Sequence, residues 1–292
     1  NSLSDNSSKN EAISFDGYWG RSAVSVNGSR GSVIDKAEDL QKVSEGFGVF
    51  GHYSSTDGEA FGSNLFENQK VTYSTEETKW TYSPKKYWSP QGHIDFLAYA
   101  PHVDGTTLKN TSCIEFTVAE NAADQKDLLW AKAANQTKAN NSGTGKKVKF
   151  QFAHALSRLG YTVKTALTSS SDVTIPSDVT ITLKKITLAG SKDGIQKAFY
   201  PKGTINLSTG VWTPSTTDEK QNFVWLSTDK TLDSDTKNSD KEYLFVIPQN
   251  FSKAEENADA LFVIVEYTIK YGDEKPVTYT VSSQLKQNFE QG

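Results

Sequence analysis

Lys70–Pro101, KVTYSTEETKWTYSPKKYWSPQGHIDFLAYAP, holds two Trp, five other aromatic residues and three Pro in 32 residues. It reads as a strand, a turn, a short strand, a Pro-flanked corner and another strand. Apolar and polar residues alternate with period two in KVTY, KWTY and HIDFLAYA. The same period recurs from Ile13 onward, in FGVFGHY, CIEFTV, VKFQF, VTITLKKITLA, EYLFVI, LFVIVEYTIKY and VTYTV. Turn pairs such as Asp57-Gly58, Asp104-Gly105 and Asp193-Gly194 separate the runs. Many short strands at this spacing predict an all-β protein of sandwich or barrel type. Two helical signals interrupt it. Ser32–Lys42 suits a short helix or loop, and apolar residues three to four apart over 153–159, before Gly160, predict a short connecting helix.

With 292 residues the chain has room for about two domains of ~150 residues. Such a length buries roughly 75% of the unfolded surface, so neither disulfide nor metal is required. Cys113 is alone and alternates into a strand, as a small core residue would. The polar segment 135–147, NQTKANNSGTGKK, predicts the boundary. The expected organisation is a flexible tether over 1–12, one β-domain over 13–147 and a second over 148–292.

The net charge is −4, which argues against a nucleic-acid partner. Arg21, Arg30 and Arg158 are the only Arg, and their scarcity argues against a phosphate site built on guanidinium forks. No run of about 18 apolar residues is present. The chain contains no Met and opens on NSLSDNSSKNEA, as expected of a mature chain or trimmed form whose signal segment is gone.

Motifs that could carry chemistry are weak. Gly46–Gly51 matches G-x-G-x-x-G but runs into His52-Tyr53-Ser54 and a turn, not a helix. A strand with room for bulky neighbours explains the glycines better, and no cofactor is expected. His93/Asp95 and His102/Asp104 each share a strand face, which would suit a hydrolase if a third acidic partner joined them; His154 lacks a zinc-helix partner. Asp233, Asp235, Asn238, Asp240 and Glu242 have the oxygen density of a calcium loop, but Asn238 stands where that loop needs Gly. A solvated acidic loop fits better, so no metal and no catalytic residue is assigned. Trp80, Tyr82, Tyr87, Trp88 and Tyr99 could stack on sugars. Trp80 and Trp88 are the candidate glycan platform, although buried aromatic residues are the commoner outcome.

In order along the chain stand ISFDGYWG (13–20), SRGSV (29–33), FGVFGHY (47–53), NLFENQKVTY (64–73), KWTYSPKKYWSPQGHIDFLAYAP (79–101), DLLWAKA (127–133), VKFQFAHALSRLGYTV (148–163), GTINLSTGVWTP (203–214) and YLFVIPQ (243–249). This series resembles the fimbrillin family of the Bacteroidales, subunits of type V pili and related surface lipoproteins. The resemblance implies two tandem transthyretin-like β-sandwiches. It implies export as a lipoprotein, with an outer-membrane anchor on the precursor, and a location at the cell surface and in the pilus. It implies proteolytic trimming after an Arg, loss of the first strand, and strand exchange with other pilus subunits, supporting cell adhesion. Arg30, with Gly31 as the new N-terminus, best matches the trimming position, and Arg21 is the reserve. The strand expected to leave runs from Ile13 to Trp19, with Ile13, Phe15 and Tyr18 its marked residues. The family usually continues past SSQLKQNFEQG with further strands, so a tip subunit is one form the resemblance allows. A surface-anchored glycan-binding lipoprotein is the alternative reading.

Overall fold

HIDFLAYA forms a strand at the centre of a seven-stranded sheet in the computed structural model. Residues 11–19, 37–56, 61–62, 64–141, 145–163, 176–225, 229–233, 237–238, 243–252 and 259–292 are described. The strands of the first half are β1 (Phe15–Trp19), β2 (Phe47–Ser54), β3 (Phe66–Ser74), β4 (Lys79–Thr81), β5 (His93–Ala100), β6 (Cys113–Thr117), β7 (Leu129–Gln136) and β8 (Val148–His154). A short helix, α1 (Ala37–Gln41), precedes β2. It realises the helical signal of Ser32–Lys42 over its second half.

The remaining strands are β9 (Ser157–Leu159), β10 (Thr162–Val163), β11 (Val179–Ala189), β12 (Lys202–Asn206), β13 (Trp212–Pro214) and β14 (Phe223–Val224). They are followed by β15 (Lys230–Leu232), β16 (Lys237–Asn238), β17 (Leu244–Val246), β18 (Gln249–Asn250), β19 (Leu261–Tyr271), β20 (Val277–Leu285) and β21 (Asn288–Phe289). The protein is all-β, with several sheets.

The first sheet has the order β1-β8-β7-β5-β2-β3-β4. β1 runs parallel to β8, and every other paired strand among the described residues is antiparallel. β1 and β4 stand at opposite ends of the order yet approach each other. The sheet is therefore curled around its core. That core takes Phe15, Phe47, Val49, Phe66, Phe96, Phe150 and Phe152, among others.

A second core lies behind the same sheet. Leu97 and Tyr99 of β5 and Phe50 of β2 point into it, and β11, β17 and β19 supply Leu183, Ile186, Leu188, Phe245 and Leu261. Both faces of β5 are covered, so the residues from Phe96 to Ala100 are all buried. A strand with one wet face would show alternate exposure; here the polar/apolar alternation marks only which core a side chain joins. Gly48 and Gly51 serve this packing. A methyl at Gly48 would meet the Tyr99 ring at 2.4 Å, and one at Gly51 the Phe66 ring at 2.8 Å. The G-x-G-x-x-G run is thus a strand under aromatic rings.

One expectation needs correction. No helix forms over 153–159: Ala153 and His154 complete β8, and Ser157–Leu159 is β9, paired antiparallel with β17. Ala155 and Leu156 are both buried at the corner between them. That corner puts Ala153, Leu156 and Leu159 at helix-like intervals without a helix. β8 follows the segment 135–147 and belongs to the seven-stranded sheet. Conversely, β6 lies before it and pairs with β12. Trp212 Nε1 donates to the Ala155 carbonyl at 2.7 Å, and Phe245 N donates to the Gln125 side chain at 2.7 Å. The second bond crosses the segment 135–147 directly, from Phe245 to Gln125.

The acidic segment around Asp233 is flanked by β15 and β16, and Lys184 pairs with Asp229 at 2.6 Å. Of the oxygen-rich cluster, Asp235, Asp240 and Glu242 lie outside the described residues. Cys113 begins β6 and is half-buried.

Candidate functional site

The first strand changes partners as it enters the fold. Trp88 N donates to the Glu11 carbonyl at 2.9 Å, and Ile13 N donates to the Lys86 carbonyl at 2.8 Å. Ala12 bridges Tyr87 in antiparallel sense. At Ser14 the chain crosses over: Val148 N donates to the Ser14 carbonyl at 2.8 Å. From Phe15 to Trp19 it pairs in parallel with Val148 to Phe152. One short segment thus joins the Lys86–Trp88 corner to β8 and covers the gap between the sheet's two ends.

Its alternation sets its faces. Ile13, Phe15 and Gly17 point into the core, and Tyr18 is exposed. The Phe15 ring lies 5.4 Å from Phe66, Tyr82 and Phe96, and 5.7 Å from Phe150, on which it stacks. Edge-on and stacked rings at this range attract beyond the area they bury. Burying Ile13 and Phe15 contributes about 1.5–3 kcal/mol each. Gly17 leaves room for its neighbours: a methyl there would stand 3.1 Å from Phe152 and 3.2 Å from Leu40 of α1. Tyr82 Oη donates to the Ile13 carbonyl at 2.5 Å. Burial is the main cause that pushes the Tyr82 phenol up to about 12, since an anion there would lose its hydration.

The result is an aromatic groove closed by a short edge strand. Among the described strands β1 has one sheet neighbour, β8. It is five residues long, and its N-terminal approach is held by the corner rather than by a second ladder. An edge strand is the part of a sheet that another chain can replace with least disturbance.

Of the residues marked in the first strand, Ile13 and Phe15 are buried in the core and Tyr18 lies on the outer face. Gly17, Tyr82, Phe66, Phe150 and Leu40 also shape the groove, and the sequence reading missed them in that role. An inward position held by Gly in an otherwise apolar alternation is the available signal for Gly17. Arg30, Gly31 and Arg21 lie outside the described residues.

The aromatic platform is not formed. Trp80 and Trp88 are 4% and 5% exposed. Trp80 packs 4.8 Å from Phe47, and Trp88 meets the Phe96 ring edge-on at 6.4 Å. Neither offers a free face to a sugar. His93 lies 3.4 Å from Asp95 on β5, and buried His102 lies 3.7 Å from Asp104, whose side chain is fully exposed. His154 pairs instead with buried Asp127 at 3.0 Å, at the end of β8. Among the described residues no three His, Cys, Asp or Glu side chains gather as metal ligands. Among the described residues no helix is long and apolar enough to cross a membrane.

A solved structure shares this architecture. A fimbrial protein from Bacteroides vulgatus is similar with a TM-score of 0.67 at 22% identity, covering 97% of this chain and 92% of that one. A candidate cell-adhesion protein from Bacteroides uniformis gives a TM-score of 0.44 at 16% identity, over 94% and 98% of the two chains. None of the curated proteins matches. The model of the fimbrillin-like family matches residues 36–292, and the chain belongs to the fimbrillin-like family.

Proposed function

We propose that this chain is a structural or tip subunit of a bacterial surface pilus, assembled by strand exchange. The carrying observation is the position of β1, an edge strand whose Phe15 plugs an aromatic groove. In this reading the precursor is exported as a lipoprotein and held at the outer membrane by a lipid anchor. A protease cuts after Arg30, with Arg21 in reserve, and β1 leaves. A strand of a neighbouring subunit then fills the groove, completing the sheet in trans by β-augmentation. The product supports adhesion at the cell surface, and the chain is a structural protein with no catalytic role. The two-domain, transthyretin-like description belongs to the same reading. Family membership and the fimbrial protein of matching fold support it.

The physical logic is conservation of contacts. A vacated groove would expose Phe66, Phe96 and Phe150 together, a large apolar surface that water disfavours. An incoming strand with an aromatic residue at the Phe15 position restores the burial, so exchange needs little net free energy once the cut releases the old strand. Treating the lipidated precursor with an Arg-specific protease tests this. A discrete cut after Arg30 followed by a ladder of polymers is expected. A precursor that is not cut there, and does not assemble, contradicts the reading.

A further inference from the structure

β20 ends the sheet β14-β11-β19-β20, and β19 is its one sheet neighbour among the described strands. Soluble proteins protect such an edge with charge, Pro or a bulge. β20 carries none of these. Its sequence, VTYTVSSQL, has no charged residue across nine positions, and its register with β19 is unbroken. Val277–Val281 are exposed on both faces, with Val277 at 49%, Tyr279 at 40% and Val281 at 53%. Tyr279 stacks on Tyr267 of β19, ring centres 5.5 Å apart and planes at 18°, so the apolar face is ordered. Pro276 bounds the open stretch on one side; on the other, Ser282 Oγ donates to the Lys192 carbonyl at 2.8 Å.

The exposed stretch is a palindrome: Val277-Thr278-Tyr279-Thr280-Val281. An antiparallel pair of identical strands related by a two-fold axis at Tyr279 would set Tyr279 against its own copy. It would set Thr278 against Thr280 and Val277 against Val281, on both sides of the axis. Each is a favourable cross-strand pair, and a two-fold contact requires this kind of self-complementarity. A charged residue near the axis would face its own copy and repel it; none is present. The Tyr267–Tyr279 stack would continue across the axis as a row of four rings.

We infer that β20 is a self-association edge whose partner is β20 of a second copy of this chain. The two copies join their sheets into one continuous sheet. This contact is separate from the β1 groove and does not depend on the pilus reading. A five-residue ladder makes a small interface, so the dimer is weak and concentration-dependent.

Sedimentation equilibrium on the full chain, up to about 1 mM, tests it with two double variants. Thr278→Lys with Thr280→Lys sets like charges opposite each other across the axis, and the dimer should disappear. Thr278→Glu with Thr280→Lys sets opposite charges in those same places, and the dimer should persist, becoming salt-sensitive. Both Thr side chains are exposed, and circular dichroism checks that each variant folds. A monomer throughout for the unaltered chain overturns the proposal. So does a dimer equally populated in both variants, because association then uses another surface, such as a different strand partner or the β1 groove.

Discussion

Tyr82 donates its hydroxyl hydrogen to the main-chain oxygen of Ile13 at 2.5 Å. That bond joins the aromatic corner to the first strand, two segments 69 residues apart. It makes the corner a clasp on the strand that closes the groove.

Tyr82→Phe should loosen the clasp without opening a cavity. The ring contacts with Phe15 and Phe66 remain, and the Ile13 carbonyl loses one donor. A cost of about 1 kcal/mol is expected. Hydrogen exchange at Ile13–Trp19 should quicken more than exchange at β5.

Alkaline pH acts on the same contact. The phenol is raised from 10.0 to about 12 in the fold, so the native state keeps its proton after the unfolded state has lost it. The native state then binds more protons across that window, and stability falls as pH rises. The contribution is fully present below about pH 10 and is lost as pH rises through about 12. Tyr99 is raised in the same direction by burial, so the comparison is between the unaltered chain and Tyr82→Phe. Between those limits the melting temperature of the unaltered chain should fall more steeply.

Phe15→Ala removes the ring that four others surround. A cost of about 3–5 kcal/mol is expected from chemical denaturation. Limited proteolysis should cut within Ile13–Trp19 before any other site in the variant. Equal resistance in both proteins would mean that Phe15 does not hold the strand.

Gly17→Val tests the opposite fault. Its added carbons meet Phe152 and Leu40 at close range, and overpacking of this kind costs about 1–3 kcal/mol. Leu40→Ala in the same chain should recover part of the loss, because it withdraws one of the two side chains in the way.

The aromatic block was legible in kind but not in environment. KWTY and HIDFLAYA form β4 and β5 as their period predicts. Nothing in that period says that a second core covers the outer face of β5, which is why Leu97 and Tyr99 are as buried as Phe96 and Ala98. The parallel pairing of β1 with β8 is also invisible in the sequence, since the partners are more than 130 positions apart and period two fixes faces, not neighbours. The corner at Ala155 and Leu156 shows the same limit locally: apolar residues on two strands, separated by a turn, imitate a helical stripe. For the site, Ile13 and Phe15 were readable as inward residues. Tyr82 was not, because its role depends on a contact from the far end of the chain. Trp88, which supplied the sugar-platform idea, is a core residue. Trp88→Ala should therefore lower thermal stability, by about 3–5 kcal/mol.

A groove that accepts a strand in trans is the centre of the proposed assembly. The direct measurement is binding of a fluorescent peptide spanning Glu11–Trp19 to the protein after cleavage at Arg30 and removal of the freed segment, followed by anisotropy. Saturable binding, abolished in a peptide carrying Phe15→Ala, is predicted. A cleaved protein that takes up neither peptide, or both equally, would contradict the account.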